Sequence, residues 1–139
     1  MTSVSPRLDQ VSERLAQGQT SAVQLAEQAL ERATQGEGPR VFTRVLREQA
    51  LAEARASDAL RAAGLARSPL EGLPISVKDL FDIAGHPTLG GSRLLADAAP
   101  ATQTAEVVQR LRRAGAVIVG TTNMTEFAYS GLGLNPHYG

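Results

Sequence analysis

Apolar residues recur at helical spacing through the first part of the chain and then give way to two short, unbroken apolar runs. Leu8, Val11 and Leu15 fall at i, i+3 and i+7 after Pro6, and Gly18 breaks the pattern, which predicts a first helix. Ser21-x-x-Gln24 then matches a capping box, in which the two side chains satisfy backbone N–H groups orphaned at a helix start. The helix it opens puts Leu25, Ala26, Ala29, Leu30 and Ala33 on one face and ends at the loop Gly36-Glu37-Gly38-Pro39. Val41 to Leu46 carries the β-branched residues of a short strand. From about Arg47 to Ala63 the chain is rich in Ala and Arg, which predicts a helix with Ala50, Leu51, Ala54 and Leu60 inward and Gly64 as its stop. No convergent polar cluster stands out in these helices, so they are expected to serve packing or subunit contact rather than chemistry.

The first apolar run reads Leu73-Pro74-Ile75-Ser76-Val77 and the second Ala116-Val117-Ile118-Val119-Gly120. Between them, Thr104 to Ala114 has helical spacing, with Val107, Val108, Leu111 and Ala114 predicted inward and Gly115 as the stop. This is a β-α-β pattern, whose right-handed crossover makes the two strands parallel and brings their ends to one side. That carboxyl edge, where open α/β sheets place their ligands, gathers Lys78 and Asp79 with Thr121, Thr122 and Asn123. A long connection from Asp79 to Gln103 holds Gly85-His86-Pro87-Thr88 and Gly90-Gly91-Ser92, and long ordered loops in compact domains often carry function. The glycine pair by itself signals a tight turn more strongly than an anion cradle. Thr122 or Asn123 is expected to cap a helix from Met124 to Tyr129, with Phe127 and Tyr129 in the core; Glu126 and Asp79 could form a carboxylate pair, but the expectation is that they hold backbone groups or balance Lys78. Two clear strands and a third candidate make an unfinished sheet, and Gly133 to Gly139 has a loop composition without a docking element. A truncated domain is therefore expected.

Composition narrows the function classes. A chain of 139 residues with 42% hydrophobic content suits one globular domain and would bury roughly two thirds of its unfolded surface. Fourteen basic and fourteen acidic side chains cancel, which removes the bulk attraction that nucleic acid or an anionic membrane would exploit. Arg110, Arg112 and Arg113 read as a solvated helix end. With no cysteine there is no disulfide, thiolate metal site or cysteine nucleophile, and His86 and His137 are too few for the usual metal ligand sets. No metal or cofactor is expected. Met1 to Gln10 is polar, without the apolar centre of a secretory signal, and no stretch approaches the length of a membrane span. A cytoplasmic protein is the expectation.

Lys78 changes this bland picture, because it is the sole lysine beside thirteen arginines. Arginine serves wherever charge or a carboxylate pair is needed, whereas lysine is able to lose its proton. Burial lowers an ammonium pKa by several units, so a lysine retained at a strand end suits a neutral amine acting as base or nucleophile. The competing explanation is a solvated lysine in a chain whose arginines reflect nucleotide composition.

The series Gly72-Leu-Pro-Ile-Ser-Val-Lys78-Asp79, Asp82-Ile-Ala-Gly85, Thr88, Gly91-Ser92, Arg113-Ala-Gly-Ala-Val-Ile-Val-Gly120 and Thr122-Asn-Met-Thr-Glu-Phe-Ala128 resembles, in this order, the amidase signature family. The resemblance is dense from about Leu70 to Gly139 and weaker over the leading helices. It implies an α/β fold in which N-terminal helices, residues 1–66, precede the start of a mixed, largely parallel sheet, residues 67–139, here truncated. It also implies hydrolysis of carboxylic amides by a Ser-cis-Ser-Lys triad, with Lys78 in the place of the catalytic lysine. An unprotonated lysine would take a proton from a bridging serine, which deprotonates the nucleophilic serine. The family's Gly-Ser-rich serine stretch falls downstream of Gly139, so neither triad serine is present and the 139 residues alone are expected to be inactive. Ser76, Ser92 and Ser130 match neither serine. In family terms Tyr129, Ser130 and Gly131 border the acyl pocket, which makes them candidate substrate contacts. The expected partner is a small-molecule amide, with a homodimer or amidotransferase subunits both open. A glutaminase subunit of a tRNA-dependent amidotransferase and a non-catalytic fragment remain as alternatives.

Overall fold

The computed structural model describes residues 6–139; Met1 to Ser5, part of the polar leading stretch, lie outside the described residues. Helix α1 spans Leu8–Ala16 and buries Leu15. Helix α2, Ala22–Thr34, begins with the expected capping box: the Gln24 N–H donates to Ser21 Oγ at 3.0 Å and the Ser21 N–H to Gln24 Oε1 at 3.1 Å. Asp58 adds a cap that local sequence does not announce, its carboxylate accepting the Ala22 and Val23 N–H groups at 2.7 and 3.1 Å. Where a loop was expected, Gly38–Val41 forms one helical turn, α3, because Pro39 sits in its first turn, where no intrahelical N–H is required. Strand β1, Phe42–Val45, and helix α4, Arg47–Ala62, follow.

Strand β2, Pro74–Lys78, helix α5, Glu106–Arg113, and strand β3, Val117–Thr122, form the predicted crossover. The sheet order is β1-β3-β2, with β3 parallel to β2 and antiparallel to β1. The expected α/β class and mixed sheet are thus present, and the third candidate strand is realised as β1. A central strand is buried on both faces, which is why β3 is apolar at successive rather than alternate positions. Val117 and Val119 join Leu15, Ala22, Ala26, Leu30, Ala50, Ala54 and Leu73 in one core cluster. Ile118 points the other way, to Val77, Ile83, Val108 and Leu46. The alanines of α2 and α4 let both helices approach the sheet closely. In α5, Val108 is buried while Val107 is 47% exposed, against expectation. Adjacent residues differ by about 100° around a helix, so in this short element only one of the pair faces the sheet.

Two further expectations are corrected. A convergent polar cluster does exist beside the scaffold helices: Ser57 of α4 and Arg67 both donate to Glu71, which has no exposed surface. Nor is the basic helix end uniformly solvated. Arg110 and Arg113 pair with Glu106 at 3.1 and 3.2 Å on the surface, but Arg112 is three-quarters buried and lies 3.1 Å from Glu53. Among the described residues no helix is long and apolar enough to cross a membrane.

Candidate functional site

Parallel pairing puts Lys78, the last residue of β2, opposite Thr122 near the end of β3. The carboxyl edge therefore assembles as the sequence predicts. Lys78 is exposed, and among the described residues its side chain makes no ion pair. Ser76, two residues earlier, is also exposed. The chain turns sharply after Lys78, whose carbonyl accepts the Leu80 and Phe81 N–H groups at 2.6 and 3.2 Å.

Asp79 supplies the anchor. It is buried, its N–H donates to the Thr122 carbonyl at 3.0 Å, and its own carbonyl accepts the Gly90 N–H at 2.9 Å. Its carboxylate accepts the Leu89 N–H on Oδ1 at 3.1 Å and the Thr43 hydroxyl on Oδ2 at 2.6 Å. Asp79 thus holds backbone groups, as one of its expected roles has it, its carboxylate bonding Leu89 and Thr43 and neither Lys78 nor Glu126. Glu126 instead lies 3.8 Å from His137 Nε2.

These bonds fold the long connection back so that Gly90-Gly91 lies beside the strand ends. Both glycines take left-handed φ, +57° and +71°, as the expected tight turn requires. At Gly91 space is decisive too: a Cβ would meet the Met124 carbonyl at 2.6 Å and Asn135 Nδ2 at 2.7 Å. Buried Asn135 closes this platform by donating to the carbonyls of Gly91 and Met124, each at 2.7 Å, while its Oδ1 accepts the His137 and Tyr138 N–H groups. The loop-like terminal segment is therefore fastened, contrary to expectation, chiefly through Asn135, with Asn123 Nδ2 donating to the Gly139 carbonyl at 2.7 Å as a second tie.

The segment after β3 departs from the sequence reading. Asn123 Oδ1 accepts the Met124 N–H at 2.8 Å, but no α-helix follows; Glu126–Ala128 is a single 3-10 turn. Phe127 and Ala128 have φ of +52° and +57°, which ends regular helix there. Their placement swings the apolar side chains outward, so Phe127 is 57% and Tyr129 93% exposed rather than in the core. Tyr129 lines an open cleft of about 490 Å³ with Thr125, Glu126, Phe127, Leu134 and Pro136. Ser130 Oγ accepts the Leu132 N–H at 3.2 Å, and Gly131 has open space around it. Sequence reasoning missed Thr43 and Asn135 altogether. Thr43 belongs to a strand far from the motif, whereas Asn135-Pro136 carries a turn signal that marks a structured loop.

The amidase family model matches residues 10–139. The chain belongs to the amidase signature family. Among curated relatives of this chain, the AtzE subunit of 1-carboxybiuret hydrolase from Pseudomonas sp. (strain ADP) is 46% identical over 131 residues, which cover 94% of the chain and 29% of that relative. A glutamyl-tRNA(Gln) amidotransferase subunit of Chloroflexus aggregans (strain MD-66 / DSM 9485) is 45% identical over 115 residues, 82% of the chain and 23% of the relative. Among solved structures, a chain from a vestigial protein complex that bears on the origins of an s-triazine catabolic enzyme matches with TM-score 0.90 and 44% identity, covering 96% of this chain and 30% of that one. The chain thus spans less than a third of the length of these relatives.

Proposed function

We propose that the chain provides the lysine-bearing part of an amide hydrolase, with Lys78 as the base of a Ser-cis-Ser-Lys triad whose two serines belong to sequence beyond these residues. The observation that carries this reading is the position of Lys78: on the carboxyl edge of a parallel strand pair, exposed, with no ion-pair partner among the described residues and its backbone pinned through Asp79. An ion pair would hold the ammonium form; Lys78 is exposed among these residues, against the burial expected of a neutral amine, so in this proposal the burial that favours the free amine comes from sequence that covers this edge.

In the proposed reaction the neutral Lys78 amine takes the proton of the bridging serine, and that serine takes the proton of the nucleophilic serine as its Oγ bonds to the amide carbon. The C–N bond then breaks, the proton returns to the departing nitrogen, and water hydrolyses the acyl-enzyme to the carboxylate. Backbone N–H groups of the Gly-Ser-rich loop would stabilise the oxyanion. Tyr129, Ser130 and Gly131 are proposed acyl-side contacts; the cleft beside Tyr129 supports that assignment. The substrate class is a small carboxylic amide, the compartment the cytoplasm, and no direct nucleic-acid contact is proposed, in keeping with the zero net charge.

Similarity to a component of an amidotransferase favours a second reading, in which the same chemistry releases ammonia from glutamine inside a multisubunit complex. One experiment addresses both. The protein carrying the full relative-length sequence, purified alone, is assayed for ammonia release from simple amides. Turnover that disappears in Lys78→Ala supports a free amidase. Turnover of glutamine only in the presence of partner subunits supports the second reading, and turnover unaffected by Lys78→Ala contradicts both. The 139 residues by themselves are expected to turn over no amide.

A further inference from the structure

We infer that Thr43 is a positioning residue for Lys78, acting through Asp79; this rests on the proposed role of Lys78 as base. Two irregularities in the sheet bring these residues together. Between β1 and β3 the register passes from Phe42 opposite Thr122 to Arg44 opposite Thr121, which leaves Thr43 as the extra residue of a bulge. Between β2 and β3 it passes from Ile75 opposite Ile118 to Ser76 opposite Gly120, which leaves Val119 as the extra residue. A bulge re-aims the side chains at and beyond it.

The second bulge brings Lys78 opposite Thr122, so that the Asp79 N–H reaches the Thr122 carbonyl at 3.0 Å. The first turns the Thr43 hydroxyl across the end of β3. There its Oγ1 lies 2.6 Å from Asp79 Oδ2 and 2.9 Å from Thr121 Oγ1. Because an ionised carboxylate only accepts, Thr43 donates to Asp79 and takes the Thr121 hydroxyl proton as acceptor. A residue of β1 thus meets the residue that directly follows Lys78, although the two strands are not neighbours in the sheet.

The consequence for Lys78 is mechanical. Its side chain has no ion pair among the described residues to fix its direction, so its aim depends on the backbone of residues 78 and 79. That backbone is held by the four bonds of Asp79, and Thr43 provides the one to Oδ2. Without the hydroxyl, a buried carboxylate oxygen loses its donor, and the carboxylate must turn toward another donor or toward water. Either movement shifts the strand end that carries the amine.

The test uses the full relative-length protein and compares wild type, Thr43→Val, Thr43→Ser and Lys78→Ala, with kcat expressed per folded molecule. The valine variant keeps the shape and removes the hydroxyl; Thr43→Ala gives the same readout if valine does not fold. Misplacing a catalytic group by about 1 Å costs up to ~100-fold, so Thr43→Val is expected to lower kcat about 10- to 100-fold with KM changed less than about twofold. Serine restores the donor and is expected to return kcat to within about threefold of wild type. A purely structural role would reduce the folded amount and leave kcat per folded molecule unchanged, which overturns the inference, as does a serine variant as impaired as valine. Retained turnover in Lys78→Ala overturns the lysine reading and this inference with it. Lost turnover in Lys78→Ala beside wild-type kcat in Thr43→Val overturns this inference alone.

Discussion

Arg67 grips Glu71 with both arms of its guanidinium, Nε 2.6 Å from Oε2 and one terminal nitrogen 2.7 Å from Oε1, around a carboxylate that has no exposed surface. The Ser57 hydroxyl and the Arg67 N–H complete its hydrogen bonds, and Arg61 holds the Glu71 carbonyl. Burial pushes the Glu71 carboxyl upward, but the bonds from Arg67 and Ser57 outweigh it and hold the group at about 2 against an ordinary value of 4.5. Because the folded value is the lower one, the stabilisation is complete above pH 4.5 and is lost as pH falls toward 2. The gap corresponds to about 3 kcal/mol. Urea titrations from pH 6 down to pH 2 are expected to show this acid-side loss, and Glu71→Gln, itself destabilised, to show a flatter profile over the same window. A pH profile unchanged by Glu71→Gln would refute the assignment.

Gly91 and Gly85 share a left-handed backbone but differ in surroundings. Gly85, φ +85°, has nothing within 4 Å of the place a Cβ would take, whereas Gly91 is walled by Met124 and Asn135. Gly85→Ala is expected to cost about 1 kcal/mol, the conformational term alone. Gly91→Ala adds a steric clash with backbone and is expected to cost about 2–4 kcal/mol. Equal melting-temperature losses for the two variants would show that the Gly91 contacts carry no energy.

Asn135→Ala removes the donor that ties the Gly90-Gly91 turn to the segment after β3. Two carbonyls lose their shared partner, with an expected cost of about 2–3 kcal/mol. Amide hydrogen exchange should accelerate at the Phe127 N–H, which donates to the Gly90 carbonyl at 2.7 Å, more than at the Val117 N–H inside the core. Uniform acceleration would mean that Asn135 serves global stability rather than this junction.

Where periodicity and local chemistry agree, the sequence is legible. The α2 capping box, the apolar face of that helix and the parallel β-α-β unit all follow from spacing alone, and with them the placement of Lys78. Legibility fails where long-range contacts decide. Nothing near Ser57 or Asp58 reveals that they serve Glu71 and the start of α2, because their partners lie on other elements. The helix expected after Asn123 gives way to one 3-10 turn, since the Phe127 N–H is claimed by Gly90 rather than by a helical carbonyl. Thr43 is invisible in the sequence for the same reason, its role arising from a bulge and not from any motif.

That Lys78 acts by giving up its proton and not by its charge is tested most directly by Lys78→Arg in the full relative-length protein. Arginine keeps the positive charge and much of the reach but stays protonated at any working pH. With melting temperature and KM as controls, amide turnover should fall at least about 100-fold, as far as in Lys78→Ala, because general-base catalysis contributes about 10²–10⁴-fold. An arginine variant that keeps turnover within about tenfold of wild type, while alanine loses it, would show that a fixed cation is what this edge of the sheet requires and would contradict the proposed role of Lys78 as base.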